Sequence, residues 1–530
     1  MRIETLQDLL AKMKRLNNLE ALRYNNGYRT FTYTYKDLYM LSAGVGEYLT
    51  QAGLSPGDKI VLWGENRPEW VILFWAAVAR GIVIVPMDTG VSHNFVQDII
   101  NRTGAKLLFH GDRVNADNLY LKTIRFEFIQ SLPAREEFDF APVTQETTVE
   151  IVFTSGSTGR PKGMEHTHAN VCSNLRPFIP EFERHKKYLF LFRPLRLLNL
   201  LPFSHMFGQA LGMFIPVLLE ASTVLPREMN PSSLSTLIKK EKASVLITVP
   251  GHLNRLGLYV DSKLDCSGRS VKYTGFAGAI ERILRFRDVH SFFGWWFWAI
   301  VVGGAQLPTR EEDWWKKMGF PVIQGYGLTE ASPIVSLNHP FNTKSGSLGK
   351  ALAGQEVKLA PDGEILVRGP NIVSGYLGTE DYGSSGRNAQ YRDGNGWFHT
   401  GDIGEMDAEG RLYFKGRKKE TIVTPEGLNV YPEDVENVLK RIGDMEDCAV
   451  VGINRQGQEE VHAVLLKPRS KDPDKIILEA NSQLQAHQSI RNWSIWPYED
   501  FPRTSSTGKI KRSRIKEIIE QELVGTEKKK

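Results

Sequence analysis

Short apolar runs alternate along the first part of this chain with longer segments whose apolar positions recur at helical spacing. That is the pattern of alternating strands and helices. The clearest unit begins at the turn signal Ser55-Pro56-Gly57-Asp58, which leads into the strand Lys59-Ile60-Val61-Leu62-Trp63. Pro68 then stands where a helix opens, Glu69 falls in its first turn, and Gly81 stops it after Arg80. A second apolar strand, Ile82-Val83-Ile84-Val85-Pro86, follows directly. Strand, helix and strand in this order imply a parallel sheet. Similar units are expected near 243–249 and 299–302. From about residue 355 the pattern changes to alternating strands around two hairpin turns, Pro361-Asp362-Gly363 and Asp407-Ala408-Glu409-Gly410. A third region begins near Arg417, where Pro432-Glu433-Asp434 opens a helix with Val435, Val438, Leu439 and Ile442 on one face. The tail after Val524 is expected to fray, and no internal repeat is visible.

Length adds that there is more than one core, because 530 residues exceed what a single one holds. Apolar residues at 41% and charged ones at 24% are ordinary for a globular protein. A net charge of +5 is small for this length and makes no case for nucleic acid as a partner. Cys172, Cys266 and Cys448 lie far apart, in neither metal nor disulfide spacing, which fits a reducing compartment. The first residues carry no apolar signal core and no apolar run reaches about 18 residues, so a cytoplasmic location is expected. The aromatic segment 292–302 and the apolar segment 188–219 are expected as buried core or pocket wall, and the basic cluster Arg184, Lys186, Lys187, Arg193 and Arg196 as a solvated face. Peripheral contact with the inner face of a membrane is left open, since no amphipathic helix in the sequence compels it.

The densest chemistry is Thr154-Ser155-Gly156-Ser157-Thr158-Gly159-Arg160-Pro161-Lys162-Gly163, which follows the strand-like Ile151-Val152-Phe153. Glycines let backbone N–H groups approach a guest, and hydroxyls and a lysine add donors and charge, so the loop suits a polyphosphate. It is not a Walker A loop, which would read Gly-Lys followed by Ser or Thr. Five more clusters follow. Gly303-Gly304-Ala305 comes after a strand, and Gln324-Gly325-Tyr326-Gly327-Leu328-Thr329-Glu330 brings together a ring, a hydroxyl and a carboxylate. Gly396-Trp397-Phe398-His399-Thr400-Gly401-Asp402 is expected to put an acid at the end of a turn. Gly416-Arg417-Lys418-Lys419-Glu420 is basic, and Pro502-Arg503-Thr504-Ser505-Ser506-Thr507-Gly508-Lys509 offers a lysine on a polar loop.

In this order the clusters resemble the acyl-adenylate-forming superfamily of acyl-CoA synthetases, luciferases and peptide-synthetase adenylation domains, over residues 33–511. The resemblance implies an α/β fold: a large N-terminal domain, 1–417, of two α/β sheets plus a β-barrel, and a small mobile C-terminal α+β domain, 418–530. It implies ATP, Mg²⁺ and coenzyme A, with a carboxylate converted first to acyl-AMP and pyrophosphate and then to a thioester. By the same resemblance the loop Thr154, Ser155, Gly156, Ser157, Thr158, Gly159 and Lys162 holds the β- and γ-phosphates. Gly303, Gly304, Ala305, Gln324, Gly325, Tyr326 and Gly327 form the adenine side, Thr329 contacts the α-phosphate, and Glu330 binds the metal. Asp402 and Arg417 take the ribose, Lys509 carries adenylation, Lys419 is the hinge, and Gly427 lines the thiol tunnel. The run Thr424-Pro425-Glu426-Gly427-Leu428-Asn429 departs from the Ser-Gly-Gly-Glu-Asn type common in relatives.

Leu201-Pro202-Phe203-Ser204-His205-Met206-Phe207-Gly208 resembles the motif bordering the carboxylate site and puts His205 there. No acid follows it until Glu220, which argues against an amino acid substrate. The apolar residues after it suit an acyl chain, and a medium- to long-chain fatty acid is expected. A ligase loading acyl carrier protein and an aryl-CoA ligase share every motif. An ATP-binding protein without activity and a P-loop kinase are disfavoured by Glu330, Asp402, Arg417 and Lys509 together and by the missing Gly-Lys-[Ser/Thr].

Overall fold

A computed structural model describes residues 2–154, 162–190, 193–266, 268–271, 275–340, 342–373, 375–377, 392–424, 428–443, 445–455, 458–468, 472–504 and 508–527. The expectations placed on Ser155, Gly156, Ser157, Thr158, Gly159 and Gly427 lie outside these residues. The chain forms two compact units: Met1–Leu307 with Glu311–Glu356 and Arg368–Phe398, and Pro308–Arg310 with Val357–Val367 and His399–Lys530.

The first unit is built on two large sheets. One has seven strands in the order Tyr376–Leu377, Lys162–Thr167, Thr148–Thr154, Val83–Met87, Lys59–Trp63, Leu107–His110 and Thr123–Arg125. The other has nine, from Lys350–Ala351 through Ile334–Leu337, Val322–Gly327, Ala299–Val302, Val245–Thr248, Arg196–Asn199, Ser222–Pro226 and Glu20–Asn25 to Thr30–Thr34. The expected strand–helix–strand unit is present, with Lys59–Trp63 and Val83–Met87 parallel and the helix Pro68–Arg80 between them. Pro68 fills the first turn, where its missing N–H costs nothing, and Gly81 ends the helix in the left-handed conformation at φ 63°.

That helix is buried on nearly all sides, as its uninterrupted apolar sequence requires. Trp70 meets Phe203 at 5.3 Å between ring centroids, and Phe74 meets Phe214 at 5.4 Å. A helix of the seven-stranded sheet is thus packed on the segment that follows the strand Arg196–Asn199 of the nine-stranded one, and the main core lies between the layers.

In the second unit, the alternating strands expected from about residue 355 give a four-stranded sheet, Glu356–Leu359, Glu364–Arg368, Phe398–Met406 and Leu412–Arg417. Beyond it, a three-stranded sheet (Asp447–Arg455, Gln458–Leu466, Asn492–Ile495) carries the helices Pro432–Ile442 and Arg512–Glu527. Val435, Val438 and Leu439 fill its small core together with Cys448, Val450 and Ile476.

Two expectations about surfaces are corrected. Arg193 and Lys186 pair with Glu220, and Arg196 pairs with Glu20, so the basic cluster is partly internal wiring and not a solvated face throughout. Within 292–302, Phe293 and Phe297 are buried, but Trp295 and Trp296 are exposed, because the turn between helix Arg287–Phe293 and strand Ala299–Val302 lifts them off the core.

Candidate active site

Strands Thr148–Thr154 and Lys162–Thr167 form an antiparallel hairpin whose last paired residues are Thr154 and Lys162. Both ends of the glycine-rich loop are therefore fixed to the edge region of the seven-stranded sheet. Gly163 is required by packing: a Cβ there would sit 2.7 Å from the Phe153 ring across the hairpin.

Helix His168–Leu175 leaves this hairpin from the capping residue Thr167, and it reaches the turn that carries Thr329 and Glu330. Asn174 Nδ2 donates to the carbonyls of Ala331 and Ile334, each at 3.0 Å, and its Oδ1 accepts from the Ile334 N–H at 2.9 Å. Asn371 donates to the same Ala331 carbonyl at 2.9 Å. His166 Nδ1 lies 2.8 Å from Ser332 Oγ. Glu330 itself accepts at its carbonyl from the Val373 N–H. The turn also demands glycine at 327, where a Cβ would meet the Pro333 carbonyl oxygen at 2.2 Å. His166, Asn174 and Asn371 are all buried, so the turn is held by obligatory hydrogen bonds in a medium that offers no water as substitute. Thr329 and Glu330 remain half-buried and reachable.

The same hairpin holds the segment around His205. Gln209 donates to Glu150 Oε2 at 2.9 Å and to the Phe203 carbonyl at 2.8 Å. Glu150 faces His166 across the hairpin. Burial pushes the Glu150 carboxyl up to about 8, only partly offset by Gln209, and pushes His166 down to about 3. Both are therefore neutral near pH 7. His205 Nε2 lies 3.7 Å from Asp88 Oδ2, with Ser204 Oγ at 3.4 Å from the same oxygen. Burial alone would raise the Asp88 carboxyl, yet His205, the Gly90 N–H and Ser204 hold it below the usual carboxylate range.

On the strand expected to flank the adenine, the Gln324 side chain is buried and donates to the buried Glu312 at 2.7 Å. A Cβ at 303 would strike the Phe207 ring at 2.2 Å, and one at 325 would meet the Ser336 carbonyl oxygen at 2.7 Å, so packing requires glycine at both positions. Gly304 has φ 84°, Ala305 is half-buried beyond it, and Tyr326 is buried on the strand Val322–Gly327.

In the second unit, Asp402 lies within the strand Phe398–Met406 and not at the end of a turn as expected. It is buried, and Arg417, its partner in register, brings Nε to 2.8 Å from Asp402 Oδ1. Lys418 reaches Asp362 at 2.6 Å and Glu364 at 2.8 Å, and Glu364 also accepts from the Gly401 N–H and faces His399. Burial opposes the Glu364 charge, but Lys418, Gly401 and His399 outweigh it and hold that carboxyl below its usual range. Lys419 follows in a short 3-10 turn, exposed. Lys509 is half-buried, and the Thr504 N–H donates to its carbonyl at 2.8 Å. Burial and the Arg417 charge lower its ammonium, against the pull of Glu420, Glu433 and Asp402.

With this geometry in place, likeness to known proteins becomes informative. Residues 11–377 match the AMP-binding enzyme family. The chain belongs to that family. Its chemistry is the activation of an acid by ATP as an acyl-adenylate and its ligation to coenzyme A. The chain is 26% identical to the long-chain-fatty-acid–CoA ligase FadD15 of Mycobacterium bovis, over 90% of this chain and 89% of that one. It is 28% identical to the 2-succinylbenzoate–CoA ligase of Bacillus velezensis, over 95% and 96%. The o-succinylbenzoate coenzyme A synthetase of Bacillus subtilis, solved with ATP and magnesium ion, shares the fold at TM-score 0.77 and 24% identity, with 96% of this chain and 99% of that one covered.

The sequence motifs of this AMP-binding enzyme contain Thr154, Lys162, Thr329, Glu330, Asp402 and Arg417. They did not reveal His166, Asn174, Asn371, Asp88 or Glu364. Only His166, a polar residue in an otherwise buried strand pattern, left a local signal.

Proposed function

We propose that this enzyme activates a medium- to long-chain fatty acid and transfers it to coenzyme A. One observation carries the reading. From 206 to 218 the segment after His205 is apolar and uncharged except for Gln209, whose amide is taken by Glu150 and Phe203. Of the two acids beside it, Asp88 faces His205 and Ser204, and Glu150 is neutral near pH 7 and bonded to Gln209, so neither is offered to an α-ammonium. An apolar, uncharged segment directly after His205 suits the wall of an acyl site.

In this reading Thr154 and Lys162, with the loop between them, bind the β- and γ-phosphates, and Tyr326 lies against the adenine. Thr329 holds the α-phosphate. The donors fit a magnesium nucleotide: Glu330 supplies the hard oxygen that Mg²⁺ prefers, and the ion would neutralise phosphate charge. Asp402, a carboxylate with two acceptor oxygens, takes the ribose hydroxyls beside Arg417. Lys509 neutralises charge between the acid's oxygen and the α-phosphate. His205 borders the carboxylate, oriented through Asp88. Lys419 serves as hinge between the two half-reactions, and Gly427 lines the thiol's path.

A second reading, an aryl acid, is supported by relatives of similar closeness, the 2-succinylbenzoate–CoA ligase and a feruloyl-CoA synthase of Amycolatopsis at 27% identity. The Phe207 ring pressed on Gly303 would also suit a short flat guest. Release of AMP and pyrophosphate over a panel from acetate to oleate, with benzoates and cinnamates, separates the two. A maximum among long acids, with acyl-CoA formed only when coenzyme A is added, is the expected result. A maximum among aromatic acids would replace the first reading with the second. Acyl-AMP that accumulates and ignores coenzyme A would move the acceptor to an acyl carrier protein.

A further inference from the structure

The helices Gly275–Arg285 and Arg287–Phe293 and the turn after them leave a set of large apolar side chains in solvent. Leu284 is 69% exposed and Trp295 59%, with Ile280, Ile283 and Trp296 also exposed. Beneath them Phe286, Val289, Phe293 and Phe297 are firmly in the core, so the exposure is not that of a loosely attached segment. The two parts are continuous. Trp295 stacks on His290 at 5.7 Å between centroids, and both His290 and Arg282 border Gly319, each within 3.6 Å of where its Cβ would be.

Cations surround these residues. Arg282, Arg285 and Arg287 lie among the apolar side chains of the helices. Lys239 packs against Gly294, Lys240 is exposed beside it, and Lys242 stands over the Trp296 ring at 6.0 Å. The acids within the two helices are already matched, Glu281 by Arg285 at 3.3 Å and Asp288 by Arg269 at 2.7 Å. A shallow recess of about 480 Å³ opens beside Leu284, lined by Arg269, Arg285, Arg287, Asp288 and Ser291.

We propose that this face docks on an anionic lipid bilayer, with Ile280, Ile283, Leu284, Trp295 and Trp296 entering the headgroup boundary and the arginines and lysines meeting lipid phosphates. Exposed aliphatic and tryptophan side chains ringed by Lys and Arg are the composition that such interfaces favour. Charge selects the partner: beyond the Arg285–Glu281 pair, a second copy of the same face would bring five cations against five, whereas an anionic surface neutralises them. The sequence left membrane contact open because no amphipathic helix in it compels such contact. The structure supplies the face that was missing. Its purpose, access to acids dissolved in lipid, rests on the fatty-acid reading; its existence does not.

The test uses the full chain with vesicles of phosphatidylcholine alone or mixed with phosphatidylglycerol, and no ATP or acid, so its failure would leave the substrate proposal untouched. Cosedimentation with mixed vesicles is expected, weak with neutral ones and reversed by high salt. Tryptophan emission should be quenched by brominated lipid. Ile283→Asp with Leu284→Asp, two substitutions at exposed positions, is expected to lower the partition coefficient at least about tenfold, and Lys240→Glu about fivefold or more. Circular dichroism and thermal melting confirm that each variant folds. Absence of binding by the unaltered chain, unchanged binding by the double variant, or equal affinity for neutral vesicles would each overturn the proposal. So would a dimer in light scattering that the double variant dissolves, since it would make a second copy the occupant.

Discussion

Lys509 is a lysine whose surroundings are set by its own unit. Bonds with Thr504 hold its backbone, while burial and Arg417 lower its ammonium against the attraction of Glu420, Glu433 and Asp402. Such a cation, partly stripped of water, interacts more strongly with developing charge than a solvated one would. Lys509→Ala is expected to lower the adenylation rate by about 10²–10³-fold, the loss that follows removal of one transition-state donor. Conversion of supplied acyl-AMP to acyl-CoA should fall far less. Equal losses in single-turnover assays of the two half-reactions would remove this residue from its assigned step. The sequence exposed Lys509 because its Thr-Gly-Lys loop is local. Asp88 stayed hidden because its partner, His205, is far along the chain.

Among the elements, the hairpin 148–167 and the helix His168–Leu175 have the widest reach. They hold the ends of the phosphate loop, the turn of Thr329 and Glu330, and through Glu150 the segment of His205. Asn174→Ala would leave the Ala331 and Ile334 groups short of partners in the core. A loss of about 3 kcal/mol in stability is expected, together with reduced AMP release at temperatures where the variant is still folded. Thermal unfolding and initial rates check this, and a variant as stable as the parent would mean that the turn holds itself.

Glu150 gives a pH signature. Its folded-state value is raised above that of the unfolded chain, so the folded state binds the extra proton between about pH 4.5 and about 8. Its contribution is complete below that window and is lost as pH rises through it. Glu150→Gln, which keeps the bond from Gln209, is expected to flatten the decline in Tm between pH 5.5 and 8. Parallel curves for variant and parent would show that Glu150 does not carry that proton.

At the scale of the whole molecule, chemistry is divided between two compact units. The phosphate loop and the Thr329–Glu330 turn belong to one, and Asp402, Arg417 and Lys509 to the other. Lys419 directly follows Lys418, which is tied to Asp362 and Glu364 of the four-stranded sheet. Lys419→Pro fixes φ at this point and is expected to slow thioester formation at least about tenfold more than adenylation. Equal rates in both half-reactions, relative to the parent chain, would place the pivot elsewhere.

The linear chain determined what depends on neighbours a few residues away. Pro68 and Gly81 delimit a helix, and Asp407 to Gly410 make a hairpin turn, because caps and turns are local physics. Tertiary structure decided what depends on partners far apart. The Gln324 amide is committed to Glu312, Asn174 and Asn371 hold a turn more than 150 and 40 residues from them, and Trp295 and Trp296 stand in solvent while Phe293 and Phe297 do not. A side chain's periodicity says that it has a buried or an exposed face. Which groups meet it there is settled only when the sheets pack, since burial makes each polar atom find a partner wherever the fold supplies one.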